Sequence, residues 1–107
     1  MKIAWLVDGV SGSWETGFTS VAASNRYRAI IPGAELRRQG HDIRFVSVTD
    51  TRWLDGYGGA APDLVVVAKQ FGWQDRTRYE RISAAVIEEI ERAKSRGARI
   101  VVDFCDD

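Results

Sequence analysis

Four short segments hold the residue types that could bind or transform a ligand. The first runs from Asp8 to Asn25 and carries Gly9, Ser11 and Gly12. Glycines let backbone amides come close to an anion. Gly9-Val10-Ser11-Gly12 lacks the G-x-G-x-x-G spacing of a dinucleotide fingerprint, and no P-loop lysine follows. The stretch reads either as a ligand-contacting loop or as a long connection punctuated by turn glycines. The second segment is Asn25-Arg26-Tyr27-Arg28. Two arginines beside a helix N-terminus can hold a carboxylate or phosphate, and they oppose the positive end of the helix unless an anion joins them. The competing reading pairs Arg26 and Arg28 with Asp8, Asp103 or Asp106.

The third segment is Lys69-Gln70-Phe71-Gly72-Trp73. Lys69 and Gln70 suit oxyanions or sugar hydroxyls. Phe71 and Trp73 either stack on a sugar or base or cover the edge of a sheet. The fourth is Asp103-Phe104-Cys105-Asp106-Asp107, with three carboxylates in five residues. Magnesium needs only one or two carboxylates plus substrate phosphates. Otherwise the aspartates cap a following helix and pair with Arg26 or Arg28. The single histidine, His41, belongs at the opposite end of the sheet, so no metal site is assigned. Cys105 has no base partner and is not assigned as a nucleophile.

The elements that must position these segments follow from hydrophobic patterning. Ile3–Val7, Asp63–Ala68 and Arg99–Phe104 are continuous apolar, β-branched runs, the mark of strands buried on both faces of a parallel sheet. Asp42–Val48 mixes Arg44 and Ser47 into its apolar residues, as a strand nearer an edge does. A helix is expected from about Arg76 to Arg96, with Tyr79, Ile82, Val86, Ile90 and Ala93 as its apolar stripe. Glu80, Arg81, Glu88, Glu89, Glu91, Arg92 and Lys94 fall on its other face, and Gly97 ends it. A second helix is expected from about Asn25 to Gln39, with Ala29, Ile30, Ala34 and Leu36 apolar and Gly40 at its end. Pro32 inside it demands either a kink or a short turn followed by a fresh helix. The glycine-rich Thr49–Pro62 stretch has room for a single turn near Thr51–Leu54. Trp5 belongs to the core, and Trp14 and Trp53 lie in loops.

Strands separated by helices imply parallel pairing and right-handed crossovers. The expected fold is α/β: a Rossmann-like, three-layer domain with a mostly parallel sheet of about four strands. In such sheets ligands bind outside the carboxyl ends of the strands, which is where all four segments fall.

Composition bounds the reading. A chain of 107 residues is one domain, able to bury roughly 65% of its unfolded surface. Fifteen basic residues balance fifteen acidic ones. Zero net charge argues against a nucleic-acid partner and against adhesion to anionic membranes. One cysteine cannot form an internal disulfide, and no apolar run reaches the ~20 residues of a membrane span. The first apolar run is short and ends at Asp8, unlike a signal peptide. A cytoplasmic location is therefore the expectation. A chain that stops just after a strand is expected to be part of a longer one.

The run Ser24-Asn25-Arg26-Tyr27-Arg28-Ala29-Ile30-Ile31-Pro32-Gly33-Ala34-Glu35-Leu36, followed by Gly40-His41, resembles the first helix of bacterial glycosyltransferases of the GT-B type. The Asp63–Gln70 strand and the closing Asp103-x-x-Asp106-Asp107 are similar to later segments of the same family. The resemblance implies the N-terminal, acceptor-side half of a two-domain enzyme, inactive alone. Its partners would be a nucleotide-sugar, held mainly by the second half, and an acceptor. It implies that Gly9–Gly12 faces the donor phosphates, that Arg26 and Arg28 face the cleft, and that no metal cofactor is needed. The alternative is a non-enzymatic α/β interaction or ligand-binding module, using the Trp14, Trp53 and Trp73 loops and forming a homodimer through them. A receiver-type phosphoacceptor fits poorly, because Lys69 stands where its aspartate belongs.

Overall fold

The computed structural model describes residues 1–7, 9–20, 26–47, 50, 52–68, 85 and 88–103. Four strands form one parallel sheet: β1 (Lys2–Leu6), β4 (Asp42–Val46), β5 (Leu64–Ala68) and β6 (Arg99–Asp103), in the order β4-β1-β5-β6. All four expected strands are present, and the strand carrying Arg44 stands at an edge. β1 lies inside the sheet and its last four residues are buried, which is why it tolerates no polar side chain after Lys2.

The two-residue alternation of a strand sorts the core into two halves. Ile3, Trp5, Val7 and Ile43 face one side, with Phe45, Leu64, Val66 and Ala68. Ala4, Leu6, Val46 and Val65 face the other, with Val67 and Ile100. The first side is covered by residues 26–38. A wide π-type turn, Arg26–Ile30, leads directly into an α-helix, Ile31–Arg38, with Pro32 in the first turn where its missing N–H costs nothing. That is the second of the two outcomes expected for Pro32.

The buried stripe of this helix differs from expectation. Ala34 is exposed, and Gly33 takes the position against the sheet. A Cβ on Gly33 would come within 2.8 Å of the Phe45 ring, so the helix approaches β4 as closely as a bare backbone permits. A glycine adds no side chain to a hydrophobic pattern, which is why the pattern named its neighbour.

The second side is covered by a 3₁₀ turn, Trp53–Tyr57, and by a helix over residues 88–95. Ile90 and Ala93 of the expected stripe face the core. Tyr79, Ile82 and Val86 lie outside the described residues. Glu89, assigned above to the solvent face, is instead buried. Both helices end in paired backbone bonds around a glycine: His41 N–H to Leu36 O with Gly40 N–H to Arg37 O, and Ala98 N–H to Ala93 O with Gly97 N–H to Lys94 O.

The stretch read as an irregular connection contains a small antiparallel hairpin, β2 (Ser11–Ser13) with β3 (Gly17–Thr19). The Ser13 hydroxyl accepts from the Thr16 amide at 3.1 Å and closes its turn. Trp14 and Phe18 stack edge-on at 4.7 Å, and both rings meet Phe45, at 5.6 and 4.8 Å. The Trp14 indole N–H donates to the Ile43 carbonyl at 2.9 Å. Val46 O bonds β1, so by alternation the Ile43 carbonyl points away from the sheet. Trp14 therefore occupies one outward carbonyl at the outer edge of β4.

Candidate functional site

β1 sends its crossover to β4 over one face, and β5 sends its crossover to β6 over the other. Two crossovers leaving adjacent strands in opposite directions open a crevice at their carboxyl ends, the usual ligand position in an open α/β sheet. In this topology that position falls after Val7 of β1 and Ala68 of β5.

Around that edge the chain places Gly9, Ser11, Gly12, Arg26 and Arg28, all exposed. The Arg26 guanidinium donates to the Ser20 carbonyl at 2.6 Å, tying the end of the hairpin to the start of the helix. The helical run beginning at Arg26 has no acidic residue in its first turn. Tyr27 is 71% exposed between the two arginines. Exposed arginine side chains and an open aromatic ring together suit an anionic or hydroxyl-rich ligand.

Gly12 has a structural task of its own. Its φ is +114°, and a Cβ there would fall on the Gly17 carbonyl oxygen across the hairpin. Only glycine lets β2 and β3 meet at this point. The Arg26–Ser20 bond uses a backbone carbonyl, a partner that side-chain types alone do not reveal.

Asn25, Lys69, Gln70 and Asp106 lie outside the described residues, as does the side chain of Asp103, whose backbone ends β6 beside Ala68. Trp73 and Cys105 lie outside them too. No group of three His, Cys, Asp or Glu side chains suited to a metal ion occurs among the described residues. His41 sits at the amino end of the sheet, where its Nδ1 is 2.9 Å from the Met1 amine.

Among the described residues, Trp14 and Trp53 of the alternative reading do not form one exposed surface. Trp53 is buried at 5% exposure against Leu54 and Ala93, and Trp14 is half-buried under the Arg37 guanidinium, 4.9 Å from its ring centre. Among the described residues no helix is long and apolar enough to cross a membrane.

No protein-family model, no curated protein and no solved structure gives a significant match to this chain.

Proposed function

We propose that this chain is the acceptor-side half of a sugar-transferring enzyme, with its ligand edge at the carboxyl ends of β1 and β5. The observation that carries the reading is the Arg26-Tyr27-Arg28 turn. It places two cationic side chains and an open ring at the start of a helix that has no acid in its first turn. The resemblance of the same residues to GT-B glycosyltransferases supplies the substrate class: an acceptor on this half, and a nucleotide-sugar shared with a second half. Arg28 and Tyr27 would orient the ligand. Arg26, anchored to Ser20, would hold the loop after β1 against the helix. Gly9 and Ser11 would line the opposite lip.

Amide chemical-shift mapping tests this. Inorganic phosphate, uridine diphosphate and methyl glucoside are titrated separately into the isotope-labelled chain. The expected result is that at least one probe shifts amides in 9–12 and 26–30, and that Arg28→Gln weakens its binding by about ten-fold, the loss of one charge-assisted contact. Shifts from none of the three probes, or shifts centred on the amino end around Gly40 and Gly97, would refute it.

A further inference from the structure

The β2–β3 hairpin is anchored at two places by different groups. At its turn, the Trp14 indole donates to the Ile43 carbonyl, its ring meets Phe18 and Phe45, and the Arg37 guanidinium lies over it. At its end, the buried Ser20 accepts through its carbonyl from Arg26, and β3 packs against the Arg26–Ile30 turn. The hairpin also reaches the opposite lip of the candidate site. Ser11 on β2 pairs with Thr19 on β3, the residue before Ser20. Ser11 and Arg26, two of the candidate ligand residues, are therefore joined through Thr19 and Ser20.

We propose that this hairpin is coupled to ligand occupancy, with Arg26 shared between the Ser20 carbonyl and a bound anion and Trp14 acting as a positioning residue. The inference rests on the ligand edge proposed above. A guanidinium carries five N–H donors in one plane. The bond to Ser20 engages one of them, on Nη1, and Arg26 remains exposed. A phosphate or carboxylate taking the Nη2 and Nε side of the fork does not compete with Ser20. Ordering a long arginine side chain costs conformational entropy. The Ser20 bond has already restricted Arg26 when the anion arrives, and the anion in turn holds the guanidinium toward Ser20. Such coupling is reciprocal: the anion tightens the hairpin, and loosening the hairpin weakens the anion. Trp14 points at Ile43, Phe45 and Arg37, so its effect on the anion passes through β3 and Ser20 to Arg26.

Phosphate titrations of the 107-residue chain and its variants test the proposal, with amide shifts in 26–30 reporting affinity and hydrogen exchange of amides 12–19 reporting the hairpin. Saturating phosphate should slow hairpin exchange about five-fold, the low end of typical coupling between sites. Trp14→Leu should weaken phosphate by the same factor in a chain still folded by far-UV circular dichroism. Trp14→Phe, which keeps a ring and loses the indole donor, should fall between Trp14→Leu and the parent. In an Arg26→Gln background Trp14→Leu should change phosphate affinity no further, an outcome that mere loss of stability does not produce. The coupling is overturned by Trp14 variants that bind phosphate like the parent, or by Trp14→Leu and Arg26→Gln effects that simply add. Hairpin exchange that phosphate leaves unchanged or accelerates overturns it as well. In each of these cases shifts in 26–30 would still uphold the ligand edge itself. Phosphate that shifts no amide there overturns the coupling, and the ligand edge then depends on uridine diphosphate and methyl glucoside.

Discussion

Glu89 offers the sharpest test of what holds the second layer in place. The Trp53–Tyr57 turn begins without a side-chain cap of its own, so its first amides need an acceptor from elsewhere. The Glu89 Oε2 provides one, taking the Leu54 N–H at 3.2 Å, while its Oε1 accepts from Arg92. The Glu89 side chain is only 3% exposed, and Leu54 is fully buried. Glu89→Ala strands the Leu54 amide, at a cost of about 1–3 kcal/mol. It also removes one buried methylene, at about 0.8 kcal/mol. Relief of carboxylate desolvation offsets part of the sum. The expected loss is about 2 kcal/mol, which for a domain of this size lowers the melting temperature by roughly 8–16 °C. Glu89→Gln keeps an acceptor for Leu54 and exchanges a charge-assisted bond for a neutral one, so it should cost about 1 kcal/mol. Urea unfolding followed by far-UV circular dichroism measures both. Glu89→Ala within about 0.5 kcal/mol of the parent, the scatter of ordinary surface changes, would refute the reasoning. So would a glutamine variant as damaged as the alanine.

Two further predictions concern Tyr57 and Gly12. Burial holds the Tyr57 phenol above its ordinary pKa; the Arg44 guanidinium pulls it down and Asp42 pushes it up. The folded value exceeds the unfolded one, so this contribution is fully present below about pH 10 and is lost as pH rises through the folded value. Because the Tyr57 hydroxyl is buried without a partner among the described residues, Tyr57→Phe should be neutral or stabilising by up to about 1 kcal/mol at pH 7, and should flatten the alkaline decline of urea midpoints above about pH 10. Gly12→Ala forces an L side chain into left-handed backbone and onto the Gly17 carbonyl. It should cost about 1–3 kcal/mol and dim the near-ultraviolet aromatic signal of the Trp14–Phe18–Phe45 cluster; an unchanged signal would show that the hairpin does not depend on Gly12.

The sheet was readable because three of its strands are dense apolar runs and the fourth, β4, keeps the alternation of an edge strand around Arg44. Gly40, Gly97 and Pro32 were readable for a local reason, since each acts on the backbone within one helical turn. The order β4-β1-β5-β6 was not, because a strand's own residues do not name its neighbours. The hairpin escaped because three-residue strands have no period to detect. Its order comes from Trp14 and Phe18 meeting Phe45, a residue distant in the chain. Ser13, Thr16 and Gly17 were the available local signal, a short turn closed by a hydroxyl and a glycine. Glu89 escaped because helical spacing sorts residues by type, whereas its burial is decided by the orphan amide of another segment. At the candidate site, residue types singled out Arg26 and Arg28, but not the Ser20 carbonyl that fixes Arg26.

The central position of β1 bears on how the chain comes to be folded at all. During synthesis Lys2–Leu6 emerges well before its partners, Asp42–Val46 and Leu64–Ala68. Ribosomes add about 5–20 residues per second, so a strand that is apolar from Ile3 to Leu6 waits seconds for its first neighbour. In that interval the hairpin is the one described strand pair that can already close, since its two strands are adjacent along the chain. Its aromatic pair Trp14 and Phe18 is then the nearest apolar surface available to the waiting strand. A nascent chain arrested before residue 42 should accordingly engage trigger-type chaperones strongly, and release them once β4 has cleared the exit tunnel.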